Sequence, residues 1–293
     1  QDTRRDRKRH RGTLGVGMGA TGGRKIGLAL SGGAARGLAH IGVVEVLERE
    51  GIPIDVIAGT SAGAIIGASY AWDRDVPRMV RDALDSNWKK MTPLLDIVFP
   101  KTGLLKGRKL RELLASYVGG DTTFADLQIP FACVATDIDT GEEVIINSGS
   151  VAEALRASIS LPGVFTVVHR EGRYLVDGGL TTPVPVEVAR NMGADFVIGV
   201  NVNPDVANRL GKTSQKRIEA HKAPNIFQVI TQSIYITTYS LASAALASAD
   251  IVIEPELGYI NLADFNRVPE IIEVGRQAAG AVIPEIKRKL AEV

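Results

Sequence analysis

Glycine, serine and aspartate in two short patterns carry the chemistry of this chain. Gly59-Thr60-Ser61-Ala62-Gly63 stands between an apolar run, residues 52–58, and a stretch of small helix-forming residues that continues to Trp72. Strand, sharp turn and helix in that order form a nucleophile elbow, which exposes a serine hydroxyl at the top of a sheet. Gly59 and Gly63 are needed there because a side chain at either place collides with the neighbouring strand or helix. The helix that follows points its free N–H groups at developing negative charge. Five residues of this pattern arise by chance, so the flanking elements give the motif its weight.

A second glycine-rich stretch, Gly32-Gly33-Ala34-Ala35-Arg36-Gly37, follows the apolar run KIGLAL, residues 25–30. A phosphate cradle is one reading, but Ala34 stands where the dinucleotide pattern needs glycine, no GK[ST] is present, and Asp55 opens the next strand instead of closing it. An oxyanion hole is the second reading, with backbone N–H groups of Gly32, Gly33, Ala34, Arg36 and Gly37 beside the strand that delivers Ser61. A plain tight turn between strand and helix is the third.

The base decides between mechanisms. A serine hydrolase triad uses a histidine, and the chain has only His10, His40, His169 and His221. His10 precedes the serine in a basic arm, His40 belongs to the helix after the glycine loop, His169 lies in the turn-like HREGR, and His221 in a Lys-containing segment. None has a supporting motif. Asp177 has one: it ends the apolar run YLV and is followed by Gly178 and Gly179, which let the backbone turn and bring a carboxylate to the sheet edge. Taken alone, Asp-Gly-Gly is an ordinary turn.

The elements that must hold these residues alternate between short apolar strands and amphipathic helices, which indicates one α/β domain with a mostly parallel central sheet flanked by helices. Residues 25–30 and 52–58 read as parallel strands of a βαβ unit. Helical patterns cover residues 76–84, 109–118, 150–158 and 184–192, and a long helix ends the chain. Residues 131–147 (FACVATDIDTGEEVIIN) read as a hairpin, and 173–176 and 195–202 as strands. No internal repeat is present.

The 293 residues are 45% apolar and 23% charged, the composition of a globular protein. Net charge is +1, yet residues 1–25 hold eight Lys/Arg against two Asp, a net +6 that leaves −5 for the rest. Residues 1–24 therefore read as a basic, Gly-rich flexible arm and residues 25–293 as the folded domain. Such an arm is solvated or touches anionic lipid; nucleic acid is the weakest of the readings, and no nucleic-acid partner is expected. No apolar leader is visible, and because the chain opens on Gln1, both a cytoplasmic or membrane-peripheral location and an exported form stay open. Residues 223–249 carry no charge, but their Gln, Ser and Thr content suits a buried or interface helix better than a membrane span. Cys133, the single cysteine, reads as a buried small hydrophobe.

Together the runs SGGAARG with LAHIG, AGTSAG, ASISLPGVF and VDGG, in this order between about residues 25 and 202, resemble the patatin-like phospholipases, specifically bacterial members and the catalytic domain of neuropathy target esterase. Ser31 and Ala34 stand where some relatives have glycines. The resemblance implies a three-layer α/β/α fold and a Ser-Asp dyad with Ser61 as nucleophile and Asp177 as the only base. It implies an oxyanion loop at residues 32–37, no metal or organic cofactor, and phospholipid, lysophospholipid or another fatty acyl ester as substrate. Acyl transfer to another alcohol would use the same dyad, and a non-catalytic lipid-binding protein would lack Ser61 or Asp177. Arg36 would orient a phosphate headgroup or pair with a carboxylate. Residues 88–106 mix apolar clusters with lysines and suit a flap over an acyl pocket, a membrane-contacting surface or ordinary packing. Homo-oligomerisation is left open.

Overall fold

The computed structural model describes residues 23–85, 107–203 and 226–292. The basic arm through residue 22, residues 88–106, His10 and His221 lie outside the described residues.

Eight strands form one sheet: β1 Ile26–Leu30, β2 Val56–Thr60, β3 Phe131–Asp137, β4 Glu143–Ile146, β5 Val168–Arg170, β6 Arg173–Asp177, β7 Phe196–Val200 and β8 Ile251–Ile253. The β3–β2, β2–β1, β1–β7 and β7–β8 pairs are parallel, and β4, β6 and β5 add antiparallel pairs at the β3 end. Strands β1, β2 and β7 are buried at every position, as expected for parallel strands covered on both faces.

The helices are α1 Ala39–Arg49, α2 Ala62–Asp73, α3 Val76–Asp85, α4 Gly107–Ser116, α5 Val151–Ser158, α6 Val186–Asn191, α7 Ile226–Leu246 and α8 Val268–Ala291. Side chains alternate across the sheet. Ile26, Leu28 and Leu30 of β1 join a core with α1, α2 and α8, whereas Ala29, Ala58 and Val197 face the other way, onto α6 and α7. That gives helix, sheet and helix layers. α1 and α8 cross where glycines let their backbones touch: a Cβ on Gly42 would stand 2.1 Å from the Ile272 carbonyl oxygen, and one on Gly275 2.0 Å from that of Ala39. Arg24 belongs to this folded body, since its guanidinium donates to the carbonyls of Lys289 and Leu290.

Two stretches differ from the sequence expectation. The HREGR segment holds the expected turn, at Glu171 and Gly172 with φ 53° and 79°, the positive-φ pair that a two-residue hairpin requires, but Val168–Arg170 before it is a further strand, β5, paired with β6. β8 is three residues long, too short for a periodic signal. β2 begins at Val56, after Pro53, and runs on to Thr60, so Ser61 is the first residue past the strand. Cys133 is fully buried in β3, where burial pushes its thiol up to about 12.

Candidate active site

Ser61 and Asp177 meet because two strands approach end to end. β4 occupies one edge of β3 without interruption, pairing Val134 with Ile145 and Ala135 with Val144. On the opposite edge Val134 pairs with Thr60 of β2, and the next residue, Ala135, pairs with Asp177 of β6. β2 runs parallel to β3 and β6 antiparallel, so their C-terminal ends converge on neighbouring positions. The Ser61 hydroxyl donates to Asp177 Oδ2 at 2.7 Å.

Asp177 is fixed from several sides. The Gly179 amide donates to its Oδ1 at 2.8 Å, its own N–H donates to the Ser160 carbonyl at 3.0 Å, and the Thr136 hydroxyl donates to its carbonyl at 3.0 Å. Burial penalises its charged form and pushes the pKa up to about 6, against the lowering effect of the Ser61 and Gly179 hydrogen bonds. Gly178 is required by proximity: a Cβ there would stand 2.2 Å from the Val134 carbonyl oxygen.

Ser61 sits at φ 52°, ψ −119°, a conformation that costs a non-glycine residue about 1–3 kcal/mol. Its neighbours hold it there. The Ser61 amide donates to the Ser158 hydroxyl at 2.9 Å, and the Ala64 amide donates to the Ser61 carbonyl at 2.9 Å. A Cβ on Gly59 would lie 2.6 Å from Ala64 Cα, and one on Gly63 2.3 Å from the Leu30 carbonyl oxygen, so the elbow closes only with glycine at both places.

The glycine loop packs directly on this elbow. A Cβ on Gly37 would meet that of Ala62 at 2.4 Å, and one on Gly32 would come within 3.2 Å of Ser61 Cβ. Ser31 is anchored to β7 and the residues after it: its N–H donates to the Val200 carbonyl and its hydroxyl accepts the Val202 amide. The amides of Gly32, Ala35 and Arg36 are taken by the carbonyls of Pro183, Leu262 and Gly33. Among the described residues no acceptor meets the amides of Gly33 and Ala34, and both residues border the cavity beside Ser61. Ala34 has φ 49°, another strained non-glycine residue beside Ser61.

That cavity has a volume of about 380 Å³ and is walled mainly by apolar side chains, among them Leu38, Ile65, Met79, Leu114 and Phe165. Arg36 is fully buried; its Nε donates to the Ile260 carbonyl and its guanidinium lies 5.2 Å from the centre of the Tyr235 ring.

Neither described histidine reaches the Ser61 hydroxyl's bond. His40 is fully buried, and its Nε2 donates to the Ser31 carbonyl at 2.9 Å; burial lowers its pKa to about 4, so the ring is neutral. His169 packs tilted against Tyr174 in the β5–β6 hairpin, ring centres 5.1 Å apart and planes at 50°. Missing from the sequence reading were the roles of Ser158, Ser160 and Arg156. Arg156, nearly buried at the end of α5, donates to the Ser160 hydroxyl and to Thr166, bracing the turn that contacts both Ser61 and Asp177. The run ASISLPGVF contains those serines, but nothing local says which atoms they face.

With this geometry, a comparison with known sequences is decisive: the family model of patatin-like phospholipases matches residues 28–190. The chain belongs to the patatin-like phospholipase family. Mouse patatin-like phospholipase domain-containing protein 6 is 30% identical over 281 residues, 89% of this chain and 20% of that protein. Lysophospholipase nte1 of Aspergillus fumigatus is 37% identical over 187 residues, 61% of this chain and 12% of its own length. This patatin-like chain thus spans about a fifth or less of those relatives. VipD from Legionella pneumophila shares the fold, with a TM-score of 0.53 at 14% identity over 88% of this chain and 67% of VipD.

Among the described residues no group of three or more His, Cys, Asp or Glu could hold a metal ion, and no helix is long and apolar enough to cross a membrane.

Proposed function

We propose that the chain is a serine lipid acyl hydrolase acting on phospholipid, lysophospholipid or related fatty acyl esters, with Ser61 as nucleophile and Asp177 as base. The observation that carries this reading is the 2.7 Å hydrogen bond from Ser61 to Asp177 at the wall of an apolar cavity. Membership of the patatin-like phospholipase family supports it.

In the reaction the Ser61 hydroxyl attacks the ester carbonyl carbon while its proton passes to Asp177 Oδ2. The carbonyl oxygen gains negative charge and is met by the amides of Gly33 and Ala34, which have no competing acceptor among the described residues. Asp177 then returns the proton to the leaving alcohol, and the acyl group stays on Ser61. Water, deprotonated by the same carboxylate, attacks the acyl-enzyme, and collapse of the second intermediate returns a proton to Ser61 as the fatty acid leaves. A carboxylate is a weak base for a hydroxyl, so the raised pKa of Asp177 brings it closer to its task.

Incubation with a fluorophosphonate probe followed by peptide mass spectrometry tests the assignment. The adduct is expected on Ser61 and absent from Ser61→Ala; labelling of another residue, or of none, would sink it.

A further inference from the structure

The cavity follows one face of α2. Ala62, Ile65, Ile66 and Ser69 border it, the spacing of a single helical stripe. From Ser61 to Ser69 is eight residues, so the cavity extends for about 12 Å along the helix axis.

Its character changes at the far end. The Ser69 hydroxyl donates to the Tyr117 carbonyl at 3.1 Å and accepts from the Arg78 guanidinium at 3.0 Å. Arg78 is held in turn by Asp73 and Asp82, at 2.6 Å each, and its guanidinium lies over the Trp72 ring at 4.8 Å. Ser69, Asp82 and Tyr117 all border the cavity, together with the apolar Met79, Ala83 and Leu114. An alkyl chain laid along α2 gains contact with apolar groups up to this point. Beyond it the chain meets the Ser69 hydroxyl and the Asp82 carboxylate, whose bonds to Arg78 it cannot replace, so further methylenes gain nothing.

We propose that this cavity gauges acyl chains: an extended chain advances roughly 1.3 Å per carbon, so about ten carbons fill the distance from Ser61 to the polar end at Ser69 and Asp82, both bonded to Arg78. Medium-chain acyl esters are then the substrates whose chains the site fully uses. The inference rests on Ser61 being the point of acyl attachment.

The test is a series of p-nitrophenyl esters from butyrate to palmitate, assayed below their aggregation limits. kcat/KM is expected to rise about fourfold per added carbon, the gain of a buried methylene, and to level or fall beyond about ten carbons. Ile66→Trp, which fills the stripe partway along, should move the break to shorter chains. A rise continuing to palmitate, a flat series, or an unmoved break in a folded Ile66→Trp would overturn the gauge. Calorimetric binding of the matching free fatty acids to Ser61→Ala gives a readout independent of catalysis, and its affinity should break at the same length. If no ester is hydrolysed but the fatty acids show that break, the hydrolase reading fails and the gauge stands; fatty-acid affinity without a break overturns the gauge alone.

Discussion

The backbone N–H of Ser61 is bonded to the Ser158 hydroxyl at 2.9 Å, so this amide holds the elbow and is not offered to a substrate oxygen. Ser158 is fully buried at the end of α5, two residues before the carbonyl that receives the Asp177 amide. One turn of chain therefore grips both members of the Ser61–Asp177 pair.

Ser158→Ala leaves the Ser61 amide unsatisfied in a dry site. It should lower stability by roughly 1–3 kcal/mol and kcat by about 10- to 100-fold through misplacement of the hydroxyl. Urea denaturation together with ester kinetics checks both, and an unchanged midpoint with full kcat would remove the positioning role of Ser158.

Asp177→Asn should be nearly inactive, since it preserves shape but accepts no proton, while His169→Asn should cost less than tenfold, far from the 10² to 10⁴ that a general base supplies. Comparing kcat/KM of the two variants with the parent decides the matter. An inactive but folded His169 variant would restore a triad.

The same Asp177→Asn protein should be more stable than the parent at pH 8. Burial raises the Asp177 pKa from 3.8 to about 6, so ionising it costs the folded state more than the unfolded one. Its favourable contribution is fully present below pH 3.8 and is lost as pH rises through about 6, a difference of roughly 3 kcal/mol at most. Thermal melts at pH 4 and pH 8 should show the variant gaining on the parent only at the higher pH; equal gains at both would contradict the shift.

Activity should follow the opposite limb of that titration. The base works ionised, so kcat/KM for a neutral ester should rise through about pH 6 and then stay level. A profile flat from pH 5 to 8 would show that Asp177 is not the titrating base.

His40→Gln should blunt acid sensitivity. With its pKa lowered from 6.5 to about 4, neutral His40 supports the fold fully above pH 6.5, and that support is lost as pH falls towards 4. Melting temperatures measured between pH 7 and 4 should fall less steeply for the variant than for the parent. Parallel curves would mean that another group carries the acid dependence.

Much of this site was legible locally. The apolar run before Ser61, the small residues after it and glycines at 59 and 63 specify an elbow, because strand, turn and helix are each decided by neighbouring residues and the two glycines by steric contact within the turn. Asp177 at a strand end before two glycines was readable in the same way. The turn in HREGR was readable too, but strand β5 before it was not, because Val168–Arg170 is three residues long and has little apolar alternation.

What the tertiary structure alone decided is which of these local features touch. Ser61 and Asp177 are 116 positions apart, and they meet because β6 continues the edge of β3 where β2 leaves off, a register set by long-range pairing that no local window contains. The same holds for Ser158 beneath the elbow, for His40 turned to the Ser31 carbonyl, and for the Gly33 and Ala34 amides, which meet no acceptor among the described residues while their neighbours are bonded. A sequence states which backbone shapes and buried faces are favourable; the direction of a single N–H or hydroxyl depends on which distant atoms close packing brings within about 3 Å of it.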